Sequence, residues 1–302
     1  MNSRTPNTVK MNNILLCPHC LKENLQLEET STLRCGRCKV TFCQNPSTFF
    51  YDFRSQVSSQ DKGLLIEQEL DFYSNNIFEN HVRTSTRKRY KKTIQLLKPE
   101  NILDIGCGTG ALAETIREDF ASYIGFEPSD VPNRNGCSSP ENVFLFHDDV
   151  GKELPIRNQS IDLVLFMASY DHIPNPKLIV RDAWNKLKYG GHLMIVMSNY
   201  AFWIKSFINL MGSRTFFKHE HEHYCVHSPE SLEKEILSFV PEAHLEMIDA
   251  DDLYIPNLPK VVSLLYFNNW WLWALNKVLK FFCTSILRLK HRGSTMILVF
   301  KK

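Results

Sequence analysis

The chain has 302 residues, 43% hydrophobic and 23% charged, values that leave room for a sizeable core and exclude wholesale disorder. Lys and Arg number 35 against 33 Asp and Glu, so the surface as a whole does not track a phosphate backbone. Of nine cysteines, four form two Cys-x-x-Cys pairs, which points to metal ligation and free thiols in a reducing compartment and not to a secreted disulfide framework.

Residues 1–13 are polar and hold no apolar run of a secretory signal, which makes the cytoplasm the expected compartment. Residues 14–50 carry Cys17-Pro18-His19-Cys20 and, after fourteen intervening residues, Cys35-Gly36-Arg37-Cys38. Each pair is a tight turn that aims two sulfurs at one point, and four thiolates at tetrahedral positions suit Zn²⁺. A zinc ribbon is expected, with Cys17, Cys20, Cys35 and Cys38 as ligands. Four sulfurs close the coordination shell, so its role is structural. His19 and Cys43 are near enough to compete, and the simplest ligand set leaves both out.

Residues 51–98 read as a polar linker and leading helices, with Leu64, Leu65, Ile66, Leu70, Phe72 and Tyr73 as intermittent apolar faces. Between His81 and Lys92 lie Arg83, Arg87, Lys88, Arg89, Lys91 and Lys92. Two readings stand: a solvated helix face, or an RNA-docking surface working with the ribbon.

From residue 99 to the end, short apolar runs alternate with helical patterns, as in β-α units around a mainly parallel sheet. Strands are expected at Asn101–Ile105, 123–127, 143–146, Ile161–Met167, 192–197 and 294–300. Helices are expected at 111–118, 176–188 and Pro229–Phe239. Two stretches, about 199–229 and 251–293, are too long for simple connections and read as insertions that shape specificity. The turn Asp104-Ile105-Gly106-Cys107-Gly108-Thr109-Gly110 follows a strand and opens a helix, letting a ligand approach the backbone closely. Glu127, about twenty positions on at the end of the next strand, is placed to accept ribose hydroxyls. Taken alone, Gly106-x-Gly108-x-x-Ala111 also fits a dinucleotide fingerprint, and Glu127 does not discriminate.

Several blocks together are more specific. Asp104-Ile-Gly-Cys-Gly-Thr-Gly, Asp148-Asp149-Val150 with Leu154-Pro155, Ser160-Ile161-Asp162-Leu163-Val164, and Leu187-Lys188-Tyr189-Gly190-Gly191-His192-Leu193 occur in that order. This series resembles the motifs of class I S-adenosylmethionine-dependent methyltransferases, of the type 11-like kind, over roughly residues 100–198. The resemblance implies an α/β, Rossmann-like seven-stranded methyltransferase sheet, here with a small N-terminal zinc ribbon. It implies S-adenosyl-L-methionine as cofactor, with Asp104, Gly106, Gly108 and Gly110 toward the methionyl end. Glu127 would hold the ribose, and Asp149 with Val150 the adenine, Asp148 being the alternative contact. Replacing Cys17 or Cys38 with Ser is expected to destabilise the N-terminal module while sparing cofactor affinity.

Methyl transfer to a hydroxyl needs alignment and removal of a proton. Asp171-His172-Ile173-Pro174, just past the fourth strand, resembles the Glu-His-(Ile/Leu)-Pro block of small-molecule members. His172 is the candidate base, imidazole being the side chain suited to proton transfer at neutral pH, and Asp171 its companion. The competing reading is a histidine that packs below the cofactor. In ubiquinone-type O-methyltransferases an acid three residues earlier helps hold a metal; here Ala168 stands there, against a catalytic metal. His219-Glu220-His221-Glu222-His223 reads as an acceptor-pocket lip, with a metal site as the alternative.

Residues 261–289 hold Trp270, Trp271, Trp273, Tyr266, Phe267, Phe281 and Phe282 among Leu and Val, with Lys277, Lys280 and Arg288 interspersed. The run is short for a membrane span and fits a peripheral membrane contact, a greasy acceptor pocket, or a packed lid. The expected activity is methyl transfer to a small-molecule or lipid-linked acceptor, at oxygen. The alternatives are a ribosomal-RNA base methyltransferase docking through ribbon and basic helix, and a non-catalytic cofactor-binding interaction protein.

Overall fold

A computed structural model of the chain describes residues 13–29, 31–53, 89–129, 142–148, 153–199, 224–250 and 295–302. It divides into two units: Met1–Phe166 with Lys177–Leu193 and Lys302, and Met167–Pro176 with Met194–Lys301.

The first unit opens with three short antiparallel strands, β1 (Leu25–Glu29), β2 (Thr32–Cys35) and β3 (Thr41–Cys43), in that spatial order. Leu25 and Leu33 are fully buried beneath them. A second, mainly parallel sheet follows. Its strands are β4 (Phe50–Asp52), β5 (Asn101–Ile105), β6 (Ser122–Glu127), β7 (Val143–His147) and β8 (Ile161–Met167). They lie in the order β8-β5-β6-β7-β4, and each neighbouring pair is parallel. Every residue of β5, β6 and β7 is buried. Burial without alternation is the mark of a parallel sheet covered on both faces. Because these strands point the same way, Ile105, Glu127 and His147 end at one edge, where ligands of open α/β sheets bind.

The strand β4 sits where a linker was expected, and its three residues continue the ladder beyond β7, Asp52 lying opposite His147. The helix α1 (Ala111–Thr115) ends before the expected 118, because Ile116 leaves helical geometry at φ −112° and ψ 22°. Likewise α2 (Pro176–Lys186) ends two residues before 188, and β9 (Leu187–Ser198) begins at once instead of at 192. The early start reflects pairing with the last residue: the Gly190 amide donates to the Lys302 carbonyl at 2.8 Å, and the Lys302 amide to Gly191 at 3.0 Å.

In the second unit a 3₁₀ turn, Tyr170–His172, precedes the later part of β9, the helix α3 (Pro229–Phe239), β10 (His244–Asp249) and β11 (Thr295–Lys301). Ser228 caps α3: its hydroxyl accepts from the Ser231 amide at 3.2 Å, its amide donates to the Ser231 hydroxyl at 2.9 Å, and Pro229 opens the helix. The antiparallel pair β10–β11 places His244 opposite Lys301. Among the described residues no helix is long and apolar enough to cross a membrane. The aromatic stretch 261–289, the histidine cluster 219–223, most of the basic stretch and the pair Asp149 and Val150 lie outside the described residues.

Candidate functional site

The glycine turn after β5 is built by backbone geometry. Gly106, Gly108 and Gly110 have φ of 75°, 53° and 72°, a region other residues adopt only with strain. The Gly106 and Cys107 amides both donate to the Phe126 carbonyl, at 2.8 and 3.1 Å, pinning the turn against β6. That close approach depends on Gly125, which the sequence reading did not single out. A Cβ there would stand 2.6 Å from the Cys107 sulfur and 2.9 Å from Leu145. The signal was present as an isolated glycine inside a strand.

Glu127 is 7% exposed and ends β6. The Gly108 amide donates to its Oε2 at 2.8 Å and the Ser129 amide to its Oε1 at 3.1 Å. The acid of the second strand and the glycine turn of the first are thus joined directly. Asp104, 1% exposed, accepts from the Tyr123 hydroxyl through Oδ2, while its Oδ1 has no hydrogen-bond partner among the described residues. Burial pushes its carboxyl up to about 7, the charge of Glu127 adding to the rise and the Tyr123 hydroxyl opposing it.

At the end of β7, the His147 ring stacks on Phe50 with centroids 4.4 Å apart, and its Nδ1 lies 3.2 Å from the Glu127 carbonyl oxygen. Asp148 follows directly. Further along, the Leu154 amide donates to Asp182 at 2.6 Å. The buried Lys186 ammonium lies 3.0 Å from that same carboxylate and donates to Asn158 Oδ1 at 3.1 Å. These charges are paired, as burial requires.

The second unit holds Asp171 and His172 on the 3₁₀ turn. Asp171 is buried, His172 is about half exposed, and its Nε2 lies 3.9 Å from the Asp171 carboxylate. Tyr224 donates its amide to the Asp171 carbonyl at 2.8 Å, fastening 224–227 to the turn. Beneath it, the Tyr170 hydroxyl donates to Glu235 at 2.5 Å, and His227 lies between Ser231, 3.2 Å away, and Glu235, 3.4 Å away. Burial raises the Tyr170 hydroxyl well above its usual range, and the Glu235 carboxylate adds to this, so the phenol stays a donor. Burial likewise pushes Cys225 up to about 12, with Glu235 and Asp171 contributing. Tyr170, Cys225, His227 and Glu235 were not singled out from sequence, because their association spans 65 positions.

Cys17, Cys20, Cys35 and Cys38 converge, their sulfurs all within 4.8 Å of one another. The Cys20 and Cys35 sulfurs are 3.9 Å apart, and the Cys38 amide donates to the Cys35 sulfur at 3.3 Å. A tetrahedron with Zn–S bonds of about 2.3 Å has edges of about 3.8 Å, so the spacing fits the ion. Burial pushes the Cys17 thiol up to about 12; a cation reverses that by stabilising the thiolate. Cys43 is exposed and stands outside this group.

A parallel sheet with a glycine turn after one central strand and a buried acid ending the next defines a Rossmann-like nucleotide-binding domain. A family model described as methyltransferase domain matches residues 78–238. The chain belongs to this family and carries the fold of class I S-adenosylmethionine-dependent methyltransferases. The ubiquinone biosynthesis O-methyltransferase of Serratia proteamaculans is 31% identical over 104 residues, covering 33% of this chain and 43% of that protein. The same enzyme of Vibrio parahaemolyticus is 24% identical over 165 residues, covering 51% of this chain and 63% of that protein. This chain therefore spans less than two thirds of either relative. Among solved structures, the plantazolicin methyltransferase BpumL, bound to a monoazolic desmethylPZN analog and SAH, superposes with a TM-score of 0.50 at 18% identity. The match covers 78% of this chain and 90% of that one, and shows the shared fold.

Proposed function

We propose that the chain methylates an oxygen of a small-molecule or lipid-linked acceptor, with His172 as general base. The observation that carries this is the 3₁₀ turn after β8, where a half-exposed His172 ring is flanked by the buried Asp171 carboxylate. An imidazole near neutrality takes the proton of a hydroxyl as the oxygen attacks, and an adjacent carboxylate stabilises the cation so formed. The similarity to two ubiquinone biosynthesis O-methyltransferases supports oxygen as the acceptor atom.

S-adenosylmethionine supplies an electrophilic methyl group on a sulfonium. In this reading Glu127 accepts the ribose hydroxyls, while Gly106, Gly108 and Gly110 give close access to backbone amides. Asp104 lies toward the methionyl ammonium, and Asp149 with Val150 toward the adenine. The four cysteines hold one structural Zn²⁺. His172 and Asp171 act on the acceptor alone, so replacing His172 lowers turnover and leaves cofactor affinity unchanged.

The test is incubation with S-adenosylmethionine and hydroxylated aromatic acceptors, followed by mass spectrometry. Gain of one methyl group on oxygen, with a His172→Ala variant slowed at least about 100-fold at equal S-adenosylhomocysteine affinity, is expected. Methylation of amines alone, or a His172→Ala variant at full rate, would overturn the reading.

A further inference from the structure

We propose that the four-cysteine centre positions the nucleotide site, so that its metal sets cofactor affinity and not merely the stability of an appendage. This rests on the cofactor assignment above. A metal on a free-standing module would leave the cofactor untouched. The cysteine segment of this chain is instead tied to the unit that carries Glu127 through two separate attachments, one to the loop before β8 and one to the sheet itself.

One attachment begins on the N-terminal side of Cys17. The Leu16 amide donates to the Pro155 carbonyl at 2.7 Å, and the Arg157 amide to the Ile14 carbonyl at 2.8 Å. Leu15 forms an antiparallel bridge with Ile156, and both are fully buried. The Arg157 guanidinium adds a bond to Asn24 at 2.9 Å. The Cys17 amide meanwhile donates to the Glu23 carbonyl at 2.8 Å, so the first knuckle and the bridge are consecutive residues of one strand-like run. Pro155, whose carbonyl takes the Leu16 amide, ends the Asp148-Asp149-Val150 and Leu154-Pro155 block that the resemblance assigns to the adenine.

The other attachment leaves β3 on the far side of the second knuckle. Gln44 bridges Tyr51, and the Asn45 amide donates to the Phe50 carbonyl at 2.8 Å, folding the chain directly into β4. There Phe50 stacks on His147, and the Phe53 amide donates to the His147 carbonyl at 2.7 Å. His147 lies opposite Glu127 in the β6–β7 register and reaches its carbonyl oxygen at 3.2 Å. Phe53 also packs on Phe42 of β3, with ring centroids 4.6 Å apart. One residue, His147, thus links the cysteine module to the residue assigned to the ribose.

Four thiolates closing on one ion fix both knuckles at once, and each knuckle leads within a few residues to one attachment. Without the ion the two attachments no longer share a rigid support, and the edge of the nucleotide site loosens. His147 and Phe50 are positioning residues in this account: they touch Glu127 or each other, not the substrate.

The experiment uses the full zinc-loaded chain and two probes, S-adenosylhomocysteine and its hypoxanthine analogue S-inosylhomocysteine, titrated by calorimetry. Zinc removal by a chelator, checked by metal analysis, is expected to weaken S-adenosylhomocysteine at least about 10-fold. The preference for adenine over hypoxanthine is expected to collapse, a change general destabilisation does not produce. Equal affinity with and without zinc, or an equal loss for both probes, overturns the proposal. Phe50→Leu covers the case in which the zinc-free chain unfolds. It is expected to retain one zinc per chain and lose severalfold affinity, and unchanged affinity there overturns the proposal. If the zinc-loaded chain binds neither probe, the cofactor assignment itself falls, which these outcomes keep separate.

Discussion

The Tyr123 hydroxyl donates to one carboxylate oxygen of Asp104 and leaves the other buried without a hydrogen-bond partner among the described residues. A carboxyl so placed holds its proton to about pH 7, against 3.8 for an ordinary aspartate. Between those values the folded state binds a proton that the unfolded state has lost. Stability therefore falls as pH rises from about 4 to about 7, and levels off above. Asp104→Asn is expected to flatten that slope in urea titrations across the range.

The same group predicts proton linkage on binding. With the methionyl ammonium beside Asp104, as proposed, the charged carboxylate is favoured, so S-adenosylhomocysteine is expected to release a proton on binding at about pH 6, its affinity rising toward about pH 7.5. Calorimetry in buffers of differing ionisation enthalpy reads this directly. Identical heats in all buffers at about pH 6 would contradict it.

Glu127→Ala is expected to weaken S-adenosylhomocysteine by about 1–3 kcal/mol, because in the proposed site the ribose hydroxyls lose their acceptor. Glu127→Gln is expected to lose less, since an amide oxygen still accepts from the Gly108 amide, which now meets Glu127 at 2.8 Å. Equal affinities for both variants and the parent chain would remove Glu127 from the site.

Gly125→Ala tests the contact between turn and strand. Its Cβ would sit 2.6 Å from the Cys107 sulfur, and overpacking of this kind costs about 1–3 kcal/mol. Thermal unfolding is expected to shift downward accordingly; an unchanged midpoint would mean the turn relaxes freely.

Tyr170→Phe tests the second unit. Loss of the bond to Glu235 is expected to cost about 1–2 kcal/mol, as for a hydrogen bond to a charged group that water partly replaces. A cost under about 0.3 kcal/mol would show that the phenol holds nothing in place.

The local features were the readable ones. The glycine turn, the acid ending β6, the paired cysteines and the Ser228–Pro229 helix start are each contained in a few consecutive residues whose types dictate their geometry. What escaped was long-range. Phe50–Asp52 is too short to announce a strand, and only pairing with β7 makes it one. The sequence His244–Asp249 is half exposed and mixed in character, and becomes a strand through its partner β11. Gly190-Gly191 reads as a turn, yet the ladder runs through it because Lys302 pairs there. Nor does the spacing of the cysteines announce the bridge between Leu15 and Ile156, which joins residues 141 positions apart.

The most direct test of the account is transfer of an isotopically labelled methyl group from S-adenosylmethionine to a hydroxylated acceptor, run on the parent chain and on His172→Ala. The label is expected on the acceptor oxygen with the parent chain, with turnover falling at least about 100-fold in the variant while its affinity for S-adenosylhomocysteine stays the same. Label found only on nitrogen or carbon, or equal turnover by the two proteins, would contradict it.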